Sequence, residues 1–180
     1  DVYIRSMATR GHLGGLAVAT PQALRAFDAA GFDTVVVETV GVGQSELEVA
    51  EMVDTILVLL APGMGDSIQA AKAGILEIGD IFVVNKSDRD GAQALVRELR
   101  TMIALTNRSP QEWKPPIVVT AAYENRGIAD LLEAIDRFRA SQVENGRAAT
   151  RRIARARREV ESIAVSKVRA ELRLNGEARL

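Results

Sequence analysis

The chain has no cysteine, which excludes disulfide bonds and thiolate metal sites anywhere in its 180 residues. Its single histidine, His12, has no companion histidine or cysteine, so we expect a solvated loop residue and no zinc site. No apolar run approaches the ~20 residues that cross a bilayer, and the first residues lack the pattern of a signal peptide. We therefore expect a cytoplasmic protein that binds no membrane.

An excess of either charge is also missing, because 23 Lys and Arg balance 24 Asp and Glu and leave a formal net charge of −1. No whole-chain field favours nucleic acid, and we expect no nucleic-acid partner. The hydrophobic content of 47% suffices for one sizeable core and predicts one domain with a short extension. The chain opens at Asp1 with a strand-like run and no initiator methionine, which is typical of a fragment of a longer protein.

Short β-branched runs alternate with longer helical patterns, which predicts an α/β fold with a doubly wound, mainly parallel sheet. Runs of continuous hydrophobicity predict strands that are buried on both faces. These runs are 34–37, 55–60, 81–84 and 117–120, with 2–5 as a weaker candidate. Helices are predicted over 46–53, 67–77, 92–105 and 128–140, and an earlier helix with Thr20 as N-cap, followed by Pro21, ends near Gly31.

The composition changes after residue 140. We expect a core domain over 1–140, a polar linker over 141–150 and an appended C-terminal helix over 151–180. Apolar residues of this helix fall on one broad face, so the helix needs a packing partner. They are Ile153, Val160, Ala164, Val168 and Leu172.

The strongest motif is Asn85-Lys86-Ser87-Asp88, directly after the predicted strand 81–84. Open α/β sheets bind ligands outside the carboxyl ends of their strands, so this position favours a binding site. In a loop of the form Asn-Lys-x-Asp, the carboxylate accepts hydrogen bonds from N1–H and the 2-amino group of guanine. Asn braces the loop, and the Lys stem lies along the ring. Adenine would leave the carboxylate unpaired. The alternative is a polar turn in which Asp88 or Asp90 caps the next helix.

A second loop follows the last predicted strand and runs from Thr120 to Ile128. Its small side chains let a backbone N–H reach the base carbonyl oxygen, which rejects the amino group of adenine. The candidate contacts are Ala121, Ala122 and Tyr123. Strand-to-helix loops are often small and contain glycine, so this loop has weight only beside the Asn85–Asp88 motif.

An acid, Glu38, ends another predicted strand and is followed by glycines. In this position an acid can orient the hydration shell of Mg²⁺, and the Gly41 amide can donate to a γ-phosphate. We identify Glu38, Gly41 and Gln44 as candidate catalytic residues, with Glu38 acting on the metal through water. The alternative is that the acid caps the following helix, a role that better suits Ser45.

Two further loops contain glycine. The segment from Ala61 to Lys72 follows a strand end and is either another switch, with Asp66 and Lys72, or a simple turn with a solvated lysine. The opening loop from Ser6 to Leu16 suits phosphate or a partner. It is not a Walker loop, because it lacks a lysine followed by Ser or Thr.

Four segments together closely resemble the MeaB/ArgK family of P-loop GTPases, and the match covers nearly the whole chain. They are Arg5 to Gly15, Glu38 to Glu46, Pro62 to Asp66 and Asn85 to Asp88. The resemblance implies a GTPase that chaperones adenosylcobalamin-dependent methylmalonyl-CoA mutase, gating cofactor delivery and protecting the mutase from inactivation. The implied ligands are GTP or GDP and Mg²⁺. Some members are also labelled lysine/arginine/ornithine transport-system kinases.

The resemblance also implies roles for single residues. Glu38 is similar to the Mg²⁺-proximal acid, Gly41 and Gly43 to the second switch, and Asp66 to Lys72 to a third switch. Asn85, Lys86 and Asp88 resemble the base readers, and the C-terminal helix resembles a homodimerisation element. The family's Walker loop and acidic Mg²⁺-binding segment lie upstream of Asp1. We therefore expect a chain that is inactive alone and holds the base-reading half of a site.

Two other classes of protein remain as alternatives. One is an ATP-using kinase accessory to transport, which competition between GTP and ATP separates from a GTPase. The other is a nucleic-acid-binding module built on the cluster from Arg151 to Arg158. The neutral whole chain and the lack of a paired aromatic platform disfavour it.

Overall fold

A computed structural model describes residues 2–7, 19–39, 49–63, 76–106, 109 and 112–177, and the side chains of 166 and 169–177 lie outside this description. The chain divides into two compact units, Asp1–Arg139 and Ala140–Leu180. Within the described residues, no helix is long and apolar enough to cross a membrane.

Three short parallel strands form the sheet of the first unit, in the order β1 (Leu57–Leu60), β2 (Ile81–Val84) and β3 (Ile117–Val119). Leu57 pairs with Ile81 at the start of the first ladder, and Phe82 pairs with Ile117 at the start of the second. Parallel strands need long crossover connections, and the chain between each pair of strands includes helix. The predicted α/β class with a parallel sheet is confirmed.

The longer helices in the described part of the chain are α1 (Thr20–Ala29), α2 (Ala92–Leu105), α3 (Ile128–Glu144) and α4 (Arg147–Glu177). Short helical segments also occur at 49–52, within the predicted helix 46–53, and at Leu76–Ile78, which overlaps the end of the predicted helix 67–77. The prediction of α2 is confirmed at both ends. Helix α1 ends as predicted beside Gly31, which has a φ of +82°. Its N-cap is Ala19 and not Thr20, and no side chain caps it.

The central strand β2 is buried on both faces, which explains its continuous hydrophobicity. Phe82 and Val84 belong to one apolar cluster with residues of α2, including the fully buried Leu99. Ile81 and Val83 belong to the opposite cluster with residues of α3, including Phe138. Because successive side chains of a strand point to opposite faces, helices cover the sheet on both sides.

The ends of the strands opposite the carboxyl edge are held by Asp80, which is 5% exposed. Its Oδ2 accepts a hydrogen bond from the backbone N–H of Ile56 at 2.9 Å. Its carbonyl oxygen accepts one from the indole N–H of Trp113 at 2.8 Å. The Trp113 ring in turn packs edge-on against Phe138, with centroids 5.2 Å apart. These contacts fix the start of β2 between β1 and the chain that enters β3.

Two predicted strands, 34–37 and 2–5, do not form, because neither pairs in a ladder in this structure. A hydrophobic run becomes a strand only when a neighbour satisfies its backbone, and Val36 is instead 85% exposed. The predicted linker 141–150 is also largely helical. Helix α3 continues to Glu144 and α4 begins at Arg147, so the connection is the turn Asn145-Gly146, where Gly146 has a φ of +66°.

Candidate functional site

The loop Asn85–Asp88 lies at the carboxyl ends of all three strands. Its first backbone N–H, that of Asn85, donates to the carbonyl of Leu60 at 2.8 Å. The N–H of Ser87 donates to the carbonyl of Thr120 at 3.0 Å. Lys86 between them has a φ of +56°, an uncommon value for a residue with a side chain. Backbone bonds to both neighbouring strands therefore fix the position of this loop.

The side chain of Asn85 joins this loop to the loop after β3. Its Oδ1 accepts hydrogen bonds from the Thr120 hydroxyl and from the Ala122 backbone N–H, each at 3.1 Å. A backbone N–H can only donate, so the atom that faces Ala122 must be the amide oxygen. Thr120 is 2% exposed, which shields the contact from water. Through these two contacts, the Asn85 side chain connects its own loop to the loop after β3.

The loop after β3 closes on itself through two backbone bonds. Ala121 donates its N–H to the carbonyl of Arg126 at 3.0 Å, and Arg126 donates back at 3.2 Å. Between them, Ala122–Glu124 form one turn of 3-10 helix. Gly127 follows with a φ of +76°, and a Cβ there would overlap the carbonyl oxygen of Val119. The loop therefore requires glycine at this position for both conformation and space.

The three candidate base contacts in this loop differ in exposure. Ala121 is fully buried, whereas Ala122 and Tyr123 are exposed. The Ala122 N–H already donates to the Asn85 side chain, so a ligand would have to share or replace this hydrogen bond. The next amide along, Tyr123 N–H, donates to none of the residues that the structure describes.

Asp88 does not cap the helix that follows. The N-cap of α2 is Gly91, at a φ of +90°, and no side chain donates or accepts a capping hydrogen bond there. Asp88 and Lys86 are both exposed, in the loop that follows the carboxyl end of β2. This removes the competing interpretation of the motif as a polar turn that caps α2 through Asp88 or Asp90.

A chain of polar contacts links Tyr123, Glu124 and Arg126. The phenol of Tyr123 donates to Glu124 Oε1 at 2.7 Å, and Arg126 Nη2 lies 3.2 Å from Glu124 Oε2. The hydrogen bond to Glu124 raises the pKa of Tyr123, and desolvation and the Asp88 carboxylate raise it further. Sequence reasoning missed Glu124 and Arg126, and also Thr120, whose signal was a polar residue closing an apolar strand.

The phosphate-side predictions are largely outside the described residues. Glu38 is described and exposed, at the end of the unpaired segment 34–37. The others, Gly41, Gly43, Gln44, Asp66 and Lys72, lie outside, as does His12. The described ranges contain no group of three or more His, Cys, Asp and Glu that could hold a metal ion. The described part of the candidate site therefore consists of the two loops that the Asn85 side chain joins.

Comparison with known proteins decides the family of this chain. The model of the methylmalonyl-CoA mutase-associated GTPase MeaB matches residues 1–177. The chain belongs to the MeaB family. The predicted resemblance is thereby confirmed, and the P-loop GTPase fold follows from it.

Individual relatives of this MeaB-family chain are also named as GTPases. A Pyrococcus abyssi protein with a GTPase name is 45% identical over 90% of this chain and 51% of its own length. The Escherichia coli GTPase ArgK is 39% identical over 81% of this chain and 45% of its own length. A crystal structure titled LAO/AO transport system kinase has a TM-score of 0.70 and 33% identity, covering 82% of this chain and 48% of that one. The chain thus spans about half the length of these relatives.

Proposed function

We propose that the full-length protein binds and hydrolyses GTP and assists adenosylcobalamin-dependent methylmalonyl-CoA mutase by gating cofactor delivery and protecting the mutase. The observation that carries the guanine part is the Asn85 side chain, which holds both loops in one arrangement. Asp88 is exposed, and the neighbouring Ser87 donates its backbone N–H to Thr120, at the start of the loop that contains Ala122 and Tyr123. A carboxylate and a backbone donor on adjacent loops match the edge of guanine.

Base discrimination follows from hydrogen-bond complementarity. Asp88 accepts from the N1–H and 2-amino groups of guanine, and Tyr123 or Ala122 donates a backbone N–H to its carbonyl oxygen. Adenine presents an amino group where guanine has that carbonyl, so donor would meet donor. It also leaves the Asp88 carboxylate without a donor, which costs about 1–3 kcal/mol. Lys86 lies along the face of the base.

The described residues suit a Mg²⁺ ion that is held mainly by the phosphates of the nucleotide. Mg²⁺ is commonly bound through one or two carboxylates together with substrate phosphates and water. Glu38 is one exposed carboxylate and the described residues supply no cluster around it, so they do not form a protein cage. Glu38 would hold the ion through water, and the ion would supply charge neutralisation at the phosphates. Gly41 and Gln44 complete the proposed catalytic set, and Gly43, Asp66 and Lys72 the proposed switches.

The mutase partner is supported by the family description, which names a mutase-associated GTPase. A nucleotide-dependent change in the switches would alter the affinity for a partner that contacts them. We propose that GTP and GDP states of the full-length protein bind the mutase differently. Association of purified protein and mutase, measured with GDP and with a non-hydrolysable GTP analogue, tests this. Equal affinity in the two states would remove the gating role.

A homodimer through α4 is proposed from the exposure of its apolar face. Ile153, Val160 and Val168 are 70%, 66% and 55% exposed. Complete burial of a large apolar side chain contributes about 1.5–3 kcal/mol, so covering this face with a second copy is favourable. Symmetric pairing of identical patches is the commonest way for one chain to achieve this.

The test of the nucleotide class is a competition experiment on the full-length protein. GTP should displace a fluorescent guanine nucleotide and be hydrolysed, whereas ATP at the same concentration should do neither. An outcome in which ATP competes as well as GTP would favour the transport-accessory kinase instead.

A further inference from the structure

We propose that the Tyr123 ring stacks on the face of the nucleobase opposite Lys86, and that Glu124 and Arg126 are positioning residues that hold the ring in place. This inference rests on the proposed guanine-nucleotide function and adds a second recognition mode to it. Asp88 reads the edge of the base, whereas Tyr123 reads its flat surface.

The first argument is placement. Asn85 ties the two loops together, with Lys86 next to it on the first loop and Tyr123 next to Ala122 on the second. A base whose edge meets Asp88 therefore enters between a lysine stem and an aromatic ring. Ser87, which precedes Asp88, also donates its backbone N–H to Thr120 at 3.0 Å, so the Asp88 loop lies against the start of the Tyr123 loop.

The second argument is exposure. Tyr123 is 77% exposed although its hydroxyl is hydrogen-bonded, so most of its ring surface faces solvent. In the described structure its centroid pairs with no other aromatic ring, in contrast to Trp113 and Phe138. A flat apolar face held at the edge of a binding site is suited to stacking, and base–aromatic stacking tolerates any base because every base has a π-face.

The third argument is the pair of contacts that fix the ring. The phenol donates to Glu124 at 2.7 Å, and Arg126 holds the second oxygen of that carboxylate at 3.2 Å. The adjacent backbone is closed by the bonds between Ala121 and Arg126. A side chain that is ordered before binding loses less entropy when the ligand arrives, which favours affinity.

The experiment measures dissociation constants of GDP and of xanthosine diphosphate by calorimetry on the full-length protein. Tyr123→Ala and Tyr123→Phe are made in the native background and in an Asp88→Asn background. Removal of the ring should weaken GDP binding about tenfold in the native background, a change of ~1.4 kcal/mol. It should weaken xanthosine diphosphate binding by the same factor in the Asp88→Asn background, because stacking does not read the base edge.

Tyr123→Phe is the matched control for the ring, because it keeps the flat face and removes only the hydroxyl. It should weaken GDP binding by at most about threefold, or ~0.6 kcal/mol, the loss expected when the hydrogen bond that positions the ring is removed and the ring itself is kept. For GTP hydrolysis, Tyr123→Ala should raise KM and leave kcat unchanged, because stacking is equal in the ground state and the transition state.

Two outcomes would overturn the inference. If Tyr123→Ala binds GDP as tightly as the native protein, the ring does not touch the base. If Tyr123→Ala abolishes the difference between GDP and xanthosine diphosphate, Tyr123 maintains the loop and does not stack. Failure of the guanine site itself has a separate signature, since Asp88→Asn alone would then leave the preference for GDP unchanged.

Discussion

Replacing Gly127 with alanine should destabilise the protein and weaken guanine-nucleotide binding together. Gly127 has a φ of +76°, and its Cβ would overlap the Val119 carbonyl oxygen and lie 3.2 Å from Cα of Thr120. Left-handed backbone costs an L-residue roughly 1–2 kcal/mol. Forcing the overlapping backbone apart adds about 1–3 kcal/mol. We therefore expect the free energy of unfolding of Gly127→Ala to fall by about 2–5 kcal/mol.

Gly31→Ala separates the two contributions. Gly31 has a similar φ of +82°, but a Cβ there would have no atom within 4 Å. This control should therefore lose only the conformational term of roughly 1–2 kcal/mol. Urea-induced unfolding of both full-length variants measures the difference, and GDP titration should show weaker binding for Gly127→Ala alone, because Thr120 and Asn85 move with the loop. Equal losses of stability in the two variants would refute the close-approach argument.

Three further predictions concern the brace, the isolated chain and α4. Thr120→Val should weaken GDP binding up to about tenfold in calorimetry, because a hydrogen bond worth ~0.5–1.5 kcal/mol no longer orients Asn85, and unchanged affinity would contradict the bracing role. Residues 1–180 alone should bind GTP poorly in a fluorescence titration, because no described loop has the amides and lysine of a phosphate cradle, and tight Mg²⁺-dependent binding would overturn this. Truncation of the full-length protein after Glu144, which removes α4, should convert a dimer to a monomer in sedimentation, and an unchanged mass would refute the dimer role.

The sequence predicted the elements of the central sheet because their signals are local. Strand β2 and helix α2 were placed at both boundaries, since a four-residue apolar run and an amphipathic repeat have few alternative structures. The segment 34–37 carries the same kind of signal and yet is unpaired. Whether an apolar run becomes a strand depends on a partner elsewhere in the fold, which no local pattern contains.

The sequence names candidate site residues, but the contacts that connect them are visible only in the structure. Asn85 is predicted to brace its own loop, and the side-chain contacts that the structure describes run to the next loop, to Thr120 and Ala122. That contact joins residues 35 and 37 positions apart, so spacing could not reveal it. The contacts among Tyr123, Glu124 and Arg126 depend on one turn of 3-10 helix. The small and polar residues of this loop do not by themselves predict that conformation.

The central claim is that Asp88 reads the donors of guanine, and Asp88→Asn tests it most directly. The variant replaces one carboxylate oxygen with an amide donor, which then faces the 2-amino donor of guanine. Xanthine has a carbonyl in place of that amino group, so the new amide should pair with it while ribose and phosphate contacts remain. Asp90→Asn is the matched control, because it makes the same chemical change on an exposed aspartate two residues away.

Competition binding on the full-length protein provides the measurement. Asp88→Asn should lose at least about tenfold in GTP affinity, corresponding to ~1.4 kcal/mol, and should prefer xanthosine triphosphate to GTP. Asp90→Asn should keep the native preference. If Asp88→Asn binds GTP as the native protein does and ignores xanthosine triphosphate, then Asp88 does not read the base and the account is wrong.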